Sequence, residues 1–159
     1  MSEFDKNIRK MITENRRAYH EYFIEELYEA GIVLTGSEAK SLRCGKASIV
    51  ECHISEEKGE LFIHGSYIPE YDKAKLYNHY PRRPRKLLLH SREIKKLTGL
   101  IQRKGYTVVP LKFYFNLKNK AKLLIAAVKG KKLHDKRETI KQREWDRQKA
   151  RVLKDSGNI

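Results

Sequence analysis

The chain has 159 residues, which suits one compact domain with appendages, a domain taking roughly 100–200 residues. Lysine and arginine number 35 against 20 acidic residues, giving a formal net charge of +15, a pI near 9.8 and a mean hydropathy of −0.72. Such a balance calls for a polyanionic partner, and a membrane is disfavoured because no apolar run approaches the ~20 residues of a spanning helix and no strongly apolar amphipathic face accompanies the charge.

Residues 1–14 are mixed and polar and read as a flexible arm. They lack the apolar stretch of a signal peptide, so a cytoplasmic protein is expected. Residues 15–34, NRRAYHEYFIEELYEAGIVL, support two readings. Tyr19, Tyr22, Phe23, Leu27 and Ala30 follow helical spacing, while the aromatic and β-branched content of residues 22–34 also suits a bent strand. Ser37 then caps a short helix through Lys40 and Arg43, which Gly45 ends. From Ala47 the pattern alternates, and Glu57, Lys58 and Gly59 turn it back through Leu61, Phe62 and Ile63 as a hairpin. Cys44 and Cys52 form no C-x-x-C pair and have no histidine at zinc-binding spacing, so they read as ordinary core or surface residues. No metal or cofactor is expected.

Residues 65–85 have no clear periodicity, and loops of this length are usually functional or disordered. Tyr67, Tyr71, Tyr77 and Tyr80 are interleaved there with Lys73, Lys75, Arg82, Arg83 and Arg85, rings and cations that can stack on bases and hold phosphates. The alternative use of each tyrosine is to cover the sheet beneath. Leu87, Leu88 and Leu89 read as a strand buried on both faces. Ser91 starts a helix whose Ile94, Leu97 and Ile101 form a core face, with Gly105 at its end. Residues 106–115 place Val109, Leu111, Phe113 and Phe115 on one side, and residues 117–120 turn into a partner strand over 121–128. Short strands, two hairpins and one firm helix suggest a small barrel of the OB type.

Residues 129–153, KGKKLHDKRETIKQREWDRQKARVL, are strong helix formers with few apolar side chains. Leu133 and Ile140 share one helical face while Trp145, Val152 and Leu153 lie on another, and neither group is broad enough to bury a helix against a core. The segment reads as a basic tail that orders on an RNA surface. A solvated terminus without specific purpose is the plainer reading, against which Trp145 stands as a costly residue to leave in water.

The stretches NRRAYHEYFIEELYEAGIVLTGSEAKSLRCGKA from Asn15, PRRPRKLLLH from Pro81, GYTVVPLKFYF from Gly105 and KGKKLHDKRETIKQREWDR from Lys129 together resemble the family of small protein B, the SsrA-binding proteins. That resemblance implies a mainly β fold with helices, an OB-like closed antiparallel β-barrel with flanking helices over residues 15–130, and a basic tail over 131–159 that is helical when bound. It also implies that residues 22–34 are strand.

The implied partners are transfer-messenger RNA, gripped at its tRNA-like domain, and the bacterial ribosome, chiefly its small-subunit RNA; the protein is expected to be a monomer when bound, and not an enzyme. Asn15, Glu29 and Leu88 fall at family positions needed for transfer-messenger RNA binding, and Lys40, Ser41 and Arg43 match a short helix that contacts the RNA elbow. Glu29 cannot pair with phosphate, so it would accept hydrogen bonds from base or ribose donors or orient an arginine. Leu88 reads as core support, and Asn15 as either a contact or a cap. In the tail, Lys131, Lys132, His134, Asp135, Lys136 and Arg137 match the part that enters the decoding centre, where His134 stacks on a base, and Trp145, Val152 and Leu153 line the empty messenger channel. Stacking by imidazole or indole needs no base identity, and a cationic helix suits a channel walled by phosphates.

Two other functions compete. A general RNA-binding or ribosome-associated protein would show no preference for a tRNA-like elbow. An RNA-cleaving enzyme would pair His134 with Asp135 or Glu138, but a loose tail cannot hold the geometry that catalysis requires.

Overall fold

The computed structural model describes residues 3–74 and 76–130 and, beyond them, Trp145, Arg147, Gln148 and Arg151. Strands β1 (Ile8–Glu14), β2 (Tyr22–Ile32), β3 (His53–Glu57), β4 (Glu60–His64), β5 (Arg85–Leu88), β6 (Tyr106–Asn116) and β7 (Ala121–Gly130) build a 7-stranded antiparallel sheet in the order β1-β6-β7-β2-β5-β4-β3. Helices α1 (Arg16–Glu21), α2 (Gly36–Arg43) and α3 (Ser91–Ile101) flank it.

The closed barrel is not what the pairing forms. Among the described residues β1 and β3 end the sheet, and β3 packs on β6 without pairing to it. The flexible arm expected before Asn15 is also corrected. A 3-10 turn over Glu3–Asn7 leads into β1, which pairs with β6 from Ile8↔Asn116 to Glu14↔Lys112. Asp5 fixes the turn by a 2.8 Å ion pair to Lys112. Polar composition hid this strand because β1 lies at the sheet's edge, where none of its residues is buried.

The ambiguity after Asn15 resolves as both readings in succession. α1 lasts six residues and its last cap, Tyr22, is extended at φ −131 and ψ 148. From there β2 pairs with β7 from Tyr22↔Gly130 to Gly31↔Lys122, and that long ladder outweighs the helical spacing of the apolar residues.

A bulge in β6 sorts the core into two faces. Pro110 has no N–H to give the ladder, and the register with β7 shifts between Pro110 and Lys112. Side chains therefore change face across it. Val108 packs with Phe113, Phe115, Leu87 and Leu97, while Val109 and Leu111 pack with Tyr114, Leu124 and Ala18. The single apolar side expected for Val109, Leu111, Phe113 and Phe115 is thus split. The first cluster is covered by α3, whose Leu97 is fully buried with Ile94 and Ile101 beside it, as the helical spacing predicts. The second is covered by α1 and the 3-10 turn, through Ala18 and Phe4.

Candidate nucleic-acid interface

α2 is tied to the loop that follows β4 by hydrogen bonds from Ser37 to His79 and from Ser41 to Pro69, and by the ion pair of Glu38 with Arg83. Thr35, not Ser37, caps α2: its hydroxyl accepts from Glu38 N at 3.3 Å, and the Glu38 carboxylate accepts from Thr35 N at 2.8 Å. Glu38 is fully buried, and its carboxylate also takes Arg83 Nη2 at 2.5 Å and Arg85 Nε. Burial alone would raise the Glu38 carboxyl, but hydrogen bonds from Arg83, Thr35 and Arg85 together with the Arg85 charge outweigh it and hold the group below the ordinary carboxylate value.

Arg85 is itself fully buried and ties down the loop, donating to Ser66 O and Pro81 O at 3.0 Å each. It therefore cannot hold phosphate, as its place in a basic stretch suggested. Ser41, only 4% exposed, donates to Pro69 O at 2.6 Å and anchors the loop. Lys40 and Arg43 do face solvent. Lys40 Nζ lies 5.9 Å from the Tyr71 ring centre, and Arg82 lies 5.2 Å from that of Tyr67.

A second site lies on the face of the sheet that α1 shares. Residues opposite one another in an antiparallel sheet point to the same side. Leu88, Gly31, Lys122, Tyr114 and Met11 form one such row across five strands. Glu29, two residues from Gly31, joins that face. Leu88 is 52% exposed, which corrects its reading as core. Its neighbour Leu87 points into the core, so β5 is buried on one side only.

Gly31 leaves room for this leucine, since a Cβ added there would stand 3.2 Å from Leu88 Cβ. Glu29 accepts a hydrogen bond from Tyr114 Oη at 2.5 Å, and burial together with that carboxylate pushes the Tyr114 phenol well above its usual value. Around Glu29, a hollow of about 350 Å³ is rimmed by Asn7, Asn116, Lys118, Lys120 and Lys122. An acceptor held by a neutral donor in a hollow that three lysines also line can bond a base or ribose while the cations take neighbouring phosphates.

Asn15 lies apart from this face. It is 7% exposed and closes the β6 bulge: its N donates to Leu111 O at 2.7 Å and its Nδ2 to Pro110 O at 3.2 Å. It stands at the N-cap of α1, but its side chain makes no cap hydrogen bond. Cys52 is buried, which pushes its thiol up to about 12 and leaves it inert.

The SmpB protein family model matches residues 12–155. The chain belongs to the SmpB family. It is 54% identical to an SsrA-binding protein of Novosphingobium aromaticivorans over 98% of this chain and 96% of that one. It is 55% identical to one of Rickettsia conorii over 92% and 96%, and 53% identical to one of Rhodopseudomonas palustris over 99% and 100%. A solved structure described as "tmRNA-SmpB: a journey to the center of the bacterial ribosome" superposes with a TM-score of 0.63 at 50% identity, covering 75% of this chain and 83% of that one.

The SmpB match runs into the tail, but Lys131, Lys132, His134, Asp135, Lys136, Arg137, Val152 and Leu153 lie outside the described residues. Trp145 is described; it is helical and 54% exposed. The Glu38, Arg83 and Arg85 network escaped the sequence, its members being 45 and 47 residues apart. The one available signal was Glu38 itself, the third residue after Thr35 in a capping box.

Proposed function

We propose that this chain binds the tRNA-like domain of transfer-messenger RNA and delivers it to stalled bacterial ribosomes in the cytoplasm, acting as an adaptor and not as an enzyme. Membership of the SmpB family carries the reading, together with names and a neighbouring structure that refer to SsrA binding, tmRNA and the bacterial ribosome. The chemistry of the surface supports it: Glu29 and Leu88 share a face with Lys118, Lys120 and Lys122, and Lys40 and Arg43 offer further cations on α2. Asn15 and Ser41 act behind these surfaces, fixing the β6 bulge and the long loop.

In this reading residues up to 130 grip the RNA, with β3 folding toward β6 to complete an OB-like barrel, and residues 131–159 are the ribosome-facing tail. Lys131, Lys132, His134, Asp135, Lys136 and Arg137 would occupy the decoding centre, and Trp145, Val152 and Leu153 the messenger channel.

The test is competition binding of transfer-messenger RNA against ordinary tRNA and an unrelated RNA, with the full chain and with a truncation before Lys131. Preference for transfer-messenger RNA in both, with peptide tagging lost only in the truncation, is expected. Equal affinity for all three RNAs, or loss of RNA binding on truncation, would overturn the division.

A further inference from the structure

The loop between β4 and β5 is held at its base by hydrogen bonds and exposes large apolar side chains among its described residues. At the base, Ile68 N donates to Pro81 O at 3.0 Å, Arg82 Nη1 to Gly65 O at 3.2 Å, and the buried His79 bridges Ser37 Oγ at 2.9 Å and Ile68 O at 2.8 Å. Further out, Asn78 closes a second ring. Its Oδ1 accepts from Tyr71 N at 3.1 Å and its Nδ2 donates to Tyr71 O at 2.9 Å, so one side chain pins both backbone groups of Tyr71.

What this scaffold presents is Leu76 at 88%, Tyr77 at 90% and Tyr80 at 72% exposure, the three most exposed large hydrophobic residues among those described. Three such side chains in five positions, on a loop tied back to the core by a buried ion pair, mark a contact surface and not a covering for the sheet. Tyr67 and Tyr71 differ from them: each already lies beside a cation, Arg82 or Lys40, at the base.

We propose that the exposed rings of Tyr77 and Tyr80, with Leu76 as an apolar neighbour, form a stacking surface on this loop that takes unpaired nucleobases of an RNA. The inference rests on the RNA-binding reading and assigns it a site that Glu29 and α2 do not supply. Tyrosine offers a flat face at low entropic cost, and stacking accepts any base because each presents a π-surface. Lys73 is exposed on the same loop and Arg82 lies at its base beside Tyr67, cations that can hold phosphates next to a stacked base. A protein partner would fill the same role through an apolar groove, but it would gain nothing from these cations.

The test uses the full chain, a fluorescent oligoadenylate and an RNA hairpin duplex of equal charge, titrated over a range of salt. Tyr77→Ala and Tyr80→Ala should each weaken oligoadenylate binding roughly 5- to 10-fold at every salt concentration, with an unchanged salt slope and little effect on the duplex. Tyr77→Phe, which keeps the ring, should bind as wild type, and unchanged thermal melting should show that the alanine variants fold. Oligoadenylate binding by both alanine variants at wild-type strength would overturn the stacking surface while leaving the RNA reading intact. The same result with binding to RNA-free ribosomal protein lost would assign these residues to a protein partner, also against the proposal. Failure of the unmodified chain to bind either RNA in a salt-dependent way would remove the reading beneath it.

Discussion

Glu38 and Glu29 are both acids in a strongly basic chain, yet the fold satisfies them in opposite ways. Glu38 is fully buried and meets two arginines and a backbone N–H, so both of its oxygens are engaged inside the protein. Glu29 is half-buried and bonded to a neutral phenol, with Lys118, Lys120 and Lys122 around the hollow beside it. A charge whose partners are internal serves the fold. One left with open acceptor capacity at a cationic rim is available to a ligand.

The sharpest way to test that contrast is to remove each acid. Glu38→Ala strands two arginines, one of them wholly buried, and should cost about 3–5 kcal/mol in urea unfolding at neutral pH. A loss below about 1 kcal/mol would show that the buried pair does not hold the loop. Acid should reproduce part of the effect. The folded-state value of Glu38 is lowered, so its contribution is fully present above the ordinary carboxyl value near ~4.3 and is lost as pH falls through the folded value. Stability should therefore drop below about pH 4 in the wild type and more gently in Glu38→Gln, which can be followed by circular dichroism melts.

A smaller effect is expected at the β6 bulge. Asn15→Ala leaves Pro110 O without its donor and should cost about 1–2 kcal/mol, since an unmet buried carbonyl loses its desolvation energy. RNA affinity measured well below the melting temperature should stay within about twofold, because the side chain is buried and its effect is structural. A large affinity loss with unaltered melting would instead make Asn15 a direct contact.

How far the sequence carried these sites follows from the range of the interactions. The helix at Ser91 and the hairpin through Asn119 are set by local periodicity and turn chemistry, and the structure keeps both, with Asn119 at φ 60 in the turn. β1 was hidden because an edge strand alternates weakly, and Pro110 gave no local sign of which side chains its bulge would turn over. Leu88 misled because a run of leucines reads as uniformly buried, whereas a strand with one open face buries only Leu87. Glu29 was legible only through the family likeness. Its Tyr114 partner is 85 residues away, and no local pattern joins them.

The smallest stability effect, and the one most specific to function, belongs to Glu29→Gln. An amide oxygen can still accept from Tyr114, so melting should change by less than about 1 kcal/mol. Removing the negative charge also relieves repulsion of phosphate beside Lys118, Lys120 and Lys122, so affinity for unrelated RNA should rise slightly, most visibly at low salt. If Glu29 accepts from base or ribose donors, the weaker neutral acceptor should at the same time lower affinity for transfer-messenger RNA by roughly 3- to 10-fold, narrowing the preference from both sides. A uniform rise for every RNA would reduce Glu29 to a charge on the surface. Unchanged preference together with a loss of stability would place it with Glu38, as a support for the fold.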